Sequence, residues 1–385
     1  MMKRSRRLFL NNRLKRSYNK KNTRRRQRGG RMIKIFNLDL HISVIEDVRT
    51  VLDKLYKNRY ELTEWSISGH AHRVKKKMAD VKIINPDTWK NIDMEMIKNF
   101  QTEYDTILSG YDVFIVTHTP VFAMLYEKYN KPIIIVNSCR YDQPFCWNKN
   151  KDMLNKFHES LKRMSESKQM TIISNNLADK MYLKKNAGIE SMYLPSICMY
   201  TDATYNPIKE TYISFENTLF NEFKTIPNSE MIIDRPPDYT FKDLFEYKGI
   251  VHMPYDISSM SLFEQYFAGV PLFFPEKNFY KECIKNKVAQ FIVRYDISDD
   301  IAAGKTSLSD QEIDEWLANA DYYNFKYINY YTSFKDCIDK LRSFSDTDKK
   351  ARLAHIQTVK DDVISKWKNI FDTIFKPQSG GGKHM

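Results

Sequence analysis

Three serines and a glutamate one helical turn further on form the part of the sequence best suited to chemistry. Residues 249–252 have the composition of a strand, a polar loop covers 254–259, and a short predicted helix carries Glu264. Open α/β sheets bind ligands at the carboxyl ends of their strands, so this loop is placed at a site. The start of the helix, residues 258–261, presents unpaired N–H groups and the positive end of the helix dipole, which favours a diphosphate.

The carboxylate of Glu264 lies where it would accept hydrogens from both hydroxyls of a ribose. A surface acid behind an ordinary helix cap explains the same spacing, and the residues alone leave both interpretations open. Arg235, before two prolines, is a further candidate to neutralise a diphosphate. The predicted donor-binding residues are His252, Tyr255, Ser258, Ser259, Met260, Ser261, Glu264 and Arg235.

This segment resembles the donor-binding motif of GT-B glycosyltransferases, in which an acid, seven residues and a Glu precede a turn written A-x-G-x-P. Asp256 and Glu264 stand eight positions apart, and the small-residue turn that follows contains Ala268, Gly269 and Pro271. The resemblance implies that Glu264 binds ribose and that Asp256 stands where retaining members have Glu, a candidate catalytic position. It also implies a UDP- or GDP-linked sugar as co-substrate, with no metal or other cofactor.

Two polar residues follow the first predicted strand and are candidates for catalysis. His41 should face the cleft between the domains, where a neutral imidazole can deprotonate an acceptor hydroxyl. Asp39 is near enough in sequence to orient that ring or to act as the base itself. A capping or core role for either residue is an equally good interpretation.

Two further loops, which begin at Thr117 and Asn137, come directly after apolar strands and should meet at the same edge of the sheet. Bidentate polar groups and aromatic rings recognise sugars, so an acceptor site is predicted there. A structural role in a turn or a helix cap explains Thr117 equally well. The predicted acceptor-binding residues are Thr117, His118, Arg140 and Tyr141.

Alternation of short apolar runs with amphipathic segments predicts the fold that positions these residues. We expect an α/β protein with two Rossmann-like, doubly wound parallel-sheet domains facing a cleft, the GT-B arrangement, and a C-terminal helix that returns to the N-terminal domain. The predicted boundaries are 32–200 for the acceptor domain, 201–345 for the donor domain, 346–376 for the returning helix and 377–385 for a flexible tail. Long helices are predicted over 310–342 and from Asp346 onward, a crossover helix over 121–129, and a strand over 290–293.

The net charge of +13 is unevenly distributed along the 385 residues. Of the 61 Lys and Arg, fourteen lie in residues 1–31, which contain no acid, and this leaves 47 against 48 Asp and Glu in the rest. Such a segment cannot bury enough surface to offset its ordering entropy, so a disordered tail is predicted. It suits contact with nucleic acid or an anionic membrane surface, or a dispensable solubilising leader.

Other motifs are assigned structural roles. The five cysteines lack a C-x-x-C pair, which argues against a disulfide framework or a zinc knuckle and favours a reducing, cytoplasmic location. Asp346-Thr347-Asp348 matches the metal-binding D-x-D of GT-A enzymes but is interpreted as a helix cap, and the aromatic run over 316–334 as core. The Lys-, Asn- and Ile-rich composition resembles that of large DNA viruses.

The sequence therefore predicts a metal-independent glycosyltransferase that moves a hexose, deoxyhexose or pentose from a nucleotide sugar to a glycan or glycoprotein. Two alternatives from other classes are kept. One is a non-catalytic nucleotide- or glycan-binding protein on the same scaffold, and the other is a nucleic-acid-binding protein that acts through its basic tail.

Overall fold

The computed structural model describes residues 31–291 and 308–375, and within them the chain forms two parallel sheets. The first sheet contains six strands in the order β2-β1-β3-β4-β5-β6, and the second contains five in the order β11-β10-β9-β7-β8. The strands of the first sheet are β1 Ile33–Asp39, β2 Tyr60–Ser66, β3 Val113–His118, β4 Ile133–Asn137, β5 Met170–Ser174 and β6 Met192–Tyr193. Those of the second are β7 Tyr212–Ser214, β8 Ile232–Asp234, β9 Ile250–Val251, β10 Leu272–Pro275 and β11 Ile328–Tyr331.

Helices cover both sheets and connect successive strands. In the first half they are α1 Ile42–Tyr56, α2 Met94–Glu103, α3 Asp105–Leu108, α4 Phe145–Asn148, α5 Lys151–Glu166 and α6 Leu177–Ala187. In the second half they are α7 Asn217–Lys224, α8 Phe241–Leu244, α9 Met260–Ala268, α10 Lys277–Lys285, α11 Asp310–Ala318, α12 Asp321–Asn324, α13 Phe334–Ser343 and α14 Lys349–Phe375. Within the described residues, no helix is both long and apolar enough to cross a membrane.

Both sheets are buried on their two faces, as continuous apolar strands require. All five residues of β4 are buried, and so are the first five of β3. Every strand pairing is parallel, so the carboxyl ends of the strands share one edge of each sheet. The predicted α/β fold with two doubly wound domains is therefore present.

Some predicted elements differ from the observed ones. The helix predicted over 310–342 is interrupted by β11, because Ile328–Tyr331 pairs with β10 and extends the second sheet. The crossover predicted over 121–129 consists of two 3₁₀ segments, Pro120–Leu125 and Glu127–Tyr129. The strand predicted over 290–293 extends beyond residue 291, and residues 1–30 of the basic tail also lie outside the described part of the chain.

The last helix, α14, connects the two domains. Near its start, Arg352 donates to the carbonyl oxygen of Gly269 at 3.1 Å and forms two hydrogen bonds to Asp346. Near its end, the hydroxyl of Tyr56 on α1 donates to Asp372 at 2.5 Å, and the Tyr56 ring packs against Phe371. The predicted return of the C-terminal helix to the first domain is thus observed.

A buried carboxylate on α1 fixes the segment that joins the two sheets. Asp47 accepts hydrogen bonds from the backbone N–H groups of Ile197 (3.1 Å) and Cys198 (2.7 Å). Cys198 adopts a positive φ of 47°, a conformation that a non-glycine residue adopts only with support from its surroundings. Burial raises the pKa of Asp47 to about 7, although both amides and Ser196 lower it.

We expect Asp47→Ala to destabilise the protein by about 2–4 kcal/mol, because two buried amides lose their acceptor. The matched variant Asp47→Asn keeps an acceptor oxygen and should lose less. The pKa of Asp47 in the folded chain lies above its unfolded value, so ionisation opposes folding as the pH rises through 7. Urea unfolding at pH 5 and pH 8 should show that the difference in free energy of unfolding between the wild type and Asp47→Asn is smaller at pH 8 than at pH 5. Equal losses for both variants at both pH values would contradict this role.

Candidate active site between the two domains

A buried ion pair joins the two domains where the carboxyl ends of their strands face each other. Arg140, in the loop after β4, donates to both carboxylate oxygens of Asp256, at 3.2 and 3.0 Å. The same guanidinium lies 3.6 Å from Asp179. The side chains of all three residues are almost fully buried. Asp256, predicted as catalytic, and Arg140, predicted to bind the acceptor, are therefore brought together as partners.

Glu264 also reaches the first domain. Its carboxylate accepts a hydrogen bond from the hydroxyl of Tyr200, in the segment between the sheets, and the hydroxyl of Ser43 in the first turn of α1 lies beside it. Burial raises the pKa of Glu264 to about 7, while the two hydroxyls and the charge of Arg73 lower it. The carboxylate thus faces two hydroxyl groups, as it would face the two hydroxyls of a ribose.

His41 and His118 lie side by side at the ends of the neighbouring strands β1 and β3. Their ring centroids are 5.5 Å apart, and Nδ1 of each ring is buried without a hydrogen-bond partner. Burial lowers the pKa of His41 to about 4, with smaller contributions from the charges of His70 and Arg73. Burial likewise lowers the pKa of His118 to about 3, and nearby His41 and Arg140 add to this effect. Both rings are therefore neutral at pH 7.

His118 stands in a strained backbone conformation, with a φ of 66° at the last position of its strand. Strained residues concentrate at functional sites, where the surrounding structure holds them in place. The geometry places His118 beside the predicted base, which agrees with a role in acceptor contact.

Asp39 and Thr117, both predicted as site residues, do not reach the gap between the domains. Asp39 is fully buried, neither of its carboxylate oxygens has a hydrogen-bond partner, and burial raises its pKa to about 7. Thr117 is fully buried, where its hydroxyl accepts from the side chain of Asn37. Asp39 lies on β1 and Thr117 on β3, and the side chains of both strands alternate between two covered faces. The sequence alone did not resolve which face each side chain takes.

Tyr141, predicted as an acceptor platform, is turned into the first domain. Its hydroxyl is 2.8 Å from Nε2 of His158 on α5, and only 1% of the residue is exposed. An acceptor therefore cannot lie against this ring in the present arrangement.

The predicted diphosphate turn leads into α9 and faces the first domain. Ser259 caps the helix by accepting from the N–H of Leu262 at 3.3 Å, and its hydroxyl lies 3.0 Å from that of Ser261. The sulfur of Met260 lies 3.8 Å from the amide nitrogen of Asn175 in the first domain. The start of α9 therefore lies against the first domain.

Ser258 has a partner that the sequence did not indicate. Its hydroxyl donates to Asp321 at 2.5 Å, and burial raises the pKa of Asp321 well above its usual range. The contact with Asp321 thus orients the turn. It also takes up the hydrogen that the Ser258 hydroxyl would donate to a diphosphate.

His252 supports the donor loop from the core. Glu216 lies 3.1 Å from Nδ1 and Gln265 lies 2.7 Å from Nε2, so both ring nitrogens are engaged. The ring also stacks on Phe274, with centroids 4.6 Å apart. A direct contact from a nitrogen of His252 to a donor is therefore not available in this arrangement, and its role is to fix the loop that follows.

Tyr255 belongs to the same loop, and Arg235, which directly follows β8, lies near it. The guanidinium of Arg235 stacks over Phe215, 4.6 Å from the ring centroid, and lies 5.6 Å from the ring of Tyr239. Tyr255 is 46% exposed, and the charge of Arg235 acts on its hydroxyl. Arg235 therefore makes cation–π contacts close to the predicted site. It has no described contact with the turn at 258–261.

The cavity beside the donor loop is small in this structure. It is lined by residues of the second domain, among them His252, Tyr255, Asp256 and Ser259, and has a volume of about 20 Å³. Ligand pockets usually hold roughly 300–1,000 Å³. A nucleotide sugar at this place would therefore need the donor loop, or the first domain that faces it, to move. We call the present position of the domains, joined by the Arg140–Asp256 pair, the closed arrangement.

Sequence reasoning missed four residues that the structure brings to the gap: Ser43, His70, Arg73 and Tyr200. Arg73 acts on both His41 and Glu264, and Tyr200 and Ser43 hold the Glu264 carboxylate. The sequence could have indicated two of them. His70 and Arg73 follow β2, so they leave the sheet at the same edge as His41. Nothing in the sequence pattern of 195–207 indicated that Tyr200 would meet the donor helix.

The first residue of the D-x-D motif, predicted as a helix cap, forms an ion pair with the helix that follows. Asp346 binds both terminal nitrogens of Arg352, and this pair holds the carbonyl of Gly269 in the turn after α9. Gly269 needs to be glycine, because its φ is +86° and an added Cβ would lie 2.4 Å from Leu353. Among the described residues, no three or more His, Cys, Asp and Glu are grouped as metal ligands.

We expect His41 to remain neutral down to about pH 5, since burial lowers its pKa to about 4. Nitrogen-15 NMR of the imidazole rings, assigned with His41→Ala, measures this directly. Arg73→Ala removes one neighbouring charge that disfavours the imidazolium, so it should move the titration of His41 toward higher pH. If His41 titrated at its ordinary pKa of 6.5 in the wild type and Arg73→Ala did not change this pKa, the buried position of His41 near Arg73 would be contradicted.

Comparison with known proteins finds similar structures but no similar sequences. No family model matches the chain, and no curated protein sequence does. The glycosyltransferase SnogD from Streptomyces nogalater is 10% identical over 90% of this chain and all of its own, with a TM-score of 0.48. A putative UDP-N-acetylglucosamine 2-epimerase from Listeria monocytogenes is 11% identical over 91% of this chain and all of its own, with a TM-score of 0.44. The calicheamicin glycosyltransferase CalG4 is 9% identical, with coverages of 91% and 100% and a TM-score of 0.41.

These identities and scores are too low to transfer an activity, so the fold is assigned from the chain's own topology. Two parallel sheets face each other through the carboxyl ends of their strands, and α14 crosses back from the second domain to the first. This is the GT-B fold.

Proposed function

We propose that the chain is a glycosyltransferase that moves a sugar from a UDP- or GDP-linked donor to a hydroxyl of a glycan or glycoprotein. The observation that carries the proposal is the position of Glu264. This carboxylate lies one turn into α9, behind the amides of 258–261, and it accepts hydroxyl hydrogens across the gap between the domains.

The second domain supplies the donor half of the site. The first amides of a helix have no partner within the helix and carry the positive end of its dipole, which stabilises a diphosphate. When the domains separate, the ribose hydroxyls take the places of the Tyr200 and Ser43 hydroxyls on Glu264. The carboxylate then accepts two hydrogens from the donor in place of its contacts with these two hydroxyls.

The first domain supplies the acceptor half. His41 caps α1, only two residues before Ser43, so its ring is close to the helix start that touches Glu264. Because Nδ1 is buried without a partner, Nε2 is the nitrogen left to accept a proton from an acceptor hydroxyl. Asp39 is too deeply buried to share this role, and Asp256 is neutralised by Arg140.

The low basicity of His41 is a property of the arrangement without a donor. A bound diphosphate would bring negative charge beside Arg73 and His41 and so raise the pKa of the imidazole toward neutrality, where a general base works best. The same charge would draw Arg140 away from Asp256. Donor binding, domain movement and activation of the base are therefore linked through one set of charges.

The proposal is tested by separating binding from turnover with two variants. Glu264→Ala should weaken binding of UDP or GDP by about 1–3 kcal/mol, since one or two hydrogen bonds to ribose are lost. The control Glu282→Ala changes an exposed acid on the neighbouring helix α10 and should leave the affinity unchanged. Calorimetry over pH 6–8 should show wild-type affinity rising as Glu264 ionises near 7, whereas Glu264→Gln should not show this rise.

His41→Ala should abolish sugar transfer while leaving nucleotide affinity intact, as measured by release of nucleoside diphosphate from a nucleotide-sugar panel in the presence of acceptor. Retained turnover would remove His41 as the base. Unchanged nucleotide affinity in Glu264→Ala would remove Glu264 from the donor site and with it the basis of the proposal.

A further inference from the structure

The chain that follows β2 carries a run of cations and no acid. Residues 67–78 read ISGHAHRVKKKM. A 3₁₀ segment, Ala71–Val74, forms its centre, and Lys75 ends that segment with a φ of +59°. Because β2 pairs with β1 in parallel, this run leaves the sheet at the same edge as His41.

One lysine of the run is turned inward and anchors it. Lys76 contacts Glu46 on α1 and Glu64 on β2, and Arg49 binds the same two acids. The amide of Lys76 also donates to the carbonyl oxygen of Ala71 at 3.1 Å. This network fixes the loop against the first domain, so the residues on either side of Lys76 have a defined direction.

The remaining basic residues of the run point outward. We call them the basic rim, and all of its members are exposed: His70, His72, Arg73, Lys75 and Lys77. Arg73, Lys75 and Lys77 form no ion pair with any other described residue. The sequence after residue 31 has almost no net charge, so this is a local and uncompensated positive field.

The basic rim borders the proposed site of transfer. Its residue Arg73 acts electrostatically on His41, at the end of β1, and on Glu264, in the opposite domain. A ligand that bridges the rim and the gap would therefore present one part to the cations and another to His41.

We propose that the basic rim binds an anionic acceptor, a saccharide that carries carboxylate or phosphate groups near the hydroxyl to be glycosylated. The inference rests on the proposed transferase function and adds the chemical class of its acceptor. The cations hold the charged groups of the saccharide at the mouth of the gap and direct the neighbouring hydroxyl to His41.

The composition of the rim favours a saccharide over a nucleic acid. Proteins that bind single strands combine cations with aromatic side chains on which the bases stack. Residues 67–78 contain no Phe, Tyr or Trp. A saccharide with spaced charges needs only the cations and the polar groups that line the gap.

The test compares the full chain with two triple variants. The rim variant carries Arg73→Ala, Lys75→Ala and Lys77→Ala and leaves Lys76 in place. The matched control carries Lys98→Ala, Lys242→Ala and Lys350→Ala, three exposed lysines elsewhere on the described surface. Both retain the basic tail, so their difference isolates the rim. The probes are an oligogalacturonate, a phosphorylated oligomannose, a neutral maltooligosaccharide of equal length and a single-stranded oligonucleotide.

The rim variant should bind an anionic saccharide about tenfold more weakly than the wild type, since three exposed charge contacts are lost. Which of the two anionic probes binds more tightly identifies the charged group. The control should bind like the wild type, the neutral saccharide should bind weakly to all three, and added salt should reduce the difference between variants.

Equal binding of the anionic saccharides by the rim variant and the control would overturn the inference. So would loss of oligonucleotide binding alone, which would assign the rim to nucleic acid. Hydrolysis of nucleotide sugars by the wild type is measured in parallel. Its absence across the panel, with rim-dependent saccharide binding intact, would overturn the transferase proposal and leave a saccharide-binding surface.

Discussion

The arrangement of the whole molecule depends on one buried guanidinium. Arg140 reaches from the first domain to Asp256 in the second while it also faces Asp179 in its own domain. Removing one member of such a cluster leaves an uncompensated buried charge, which is far more costly than losing a surface pair. The closed arrangement is therefore stabilised by buried charges between the domains. Under the proposed function, an incoming diphosphate competes for the same guanidinium, which would couple ligand binding to domain position.

The side chains around this pair show the same coupling. Glu264 is held by hydroxyls of Ser43 and Tyr200, one from the first domain and one from the segment that joins the domains. That segment is itself fixed by Asp47 through the amides of Ile197 and Cys198. Moving the domains apart would therefore break several of these contacts together. Under the proposed function, a diphosphate with its ribose offers the groups that replace them.

The fold was predictable because continuous apolar strands such as Ile133–Asn137 belong to parallel sheets covered on both faces. The position of Glu264 at the gap followed from its distance behind a strand end. The directions of individual side chains did not follow from the sequence. Thr117 lies near the end of a buried strand and Tyr141 follows one, and at such positions a side chain can face either the gap or the core. Long-range partners were also beyond the sequence. Arg140 and Asp256 are separated by 116 residues, and no local pattern indicates that they meet.

The most direct test of the account is a structure of the full chain with a bound nucleoside diphosphate. The account predicts the diphosphate against the amides of 258–261, the ribose hydroxyls on the carboxylate of Glu264, and Arg140 released from Asp256 as the domains move apart. A nucleotide bound on an outer face, with the Arg140–Asp256 pair and the Ser43 and Tyr200 contacts of Glu264 unchanged, would contradict it.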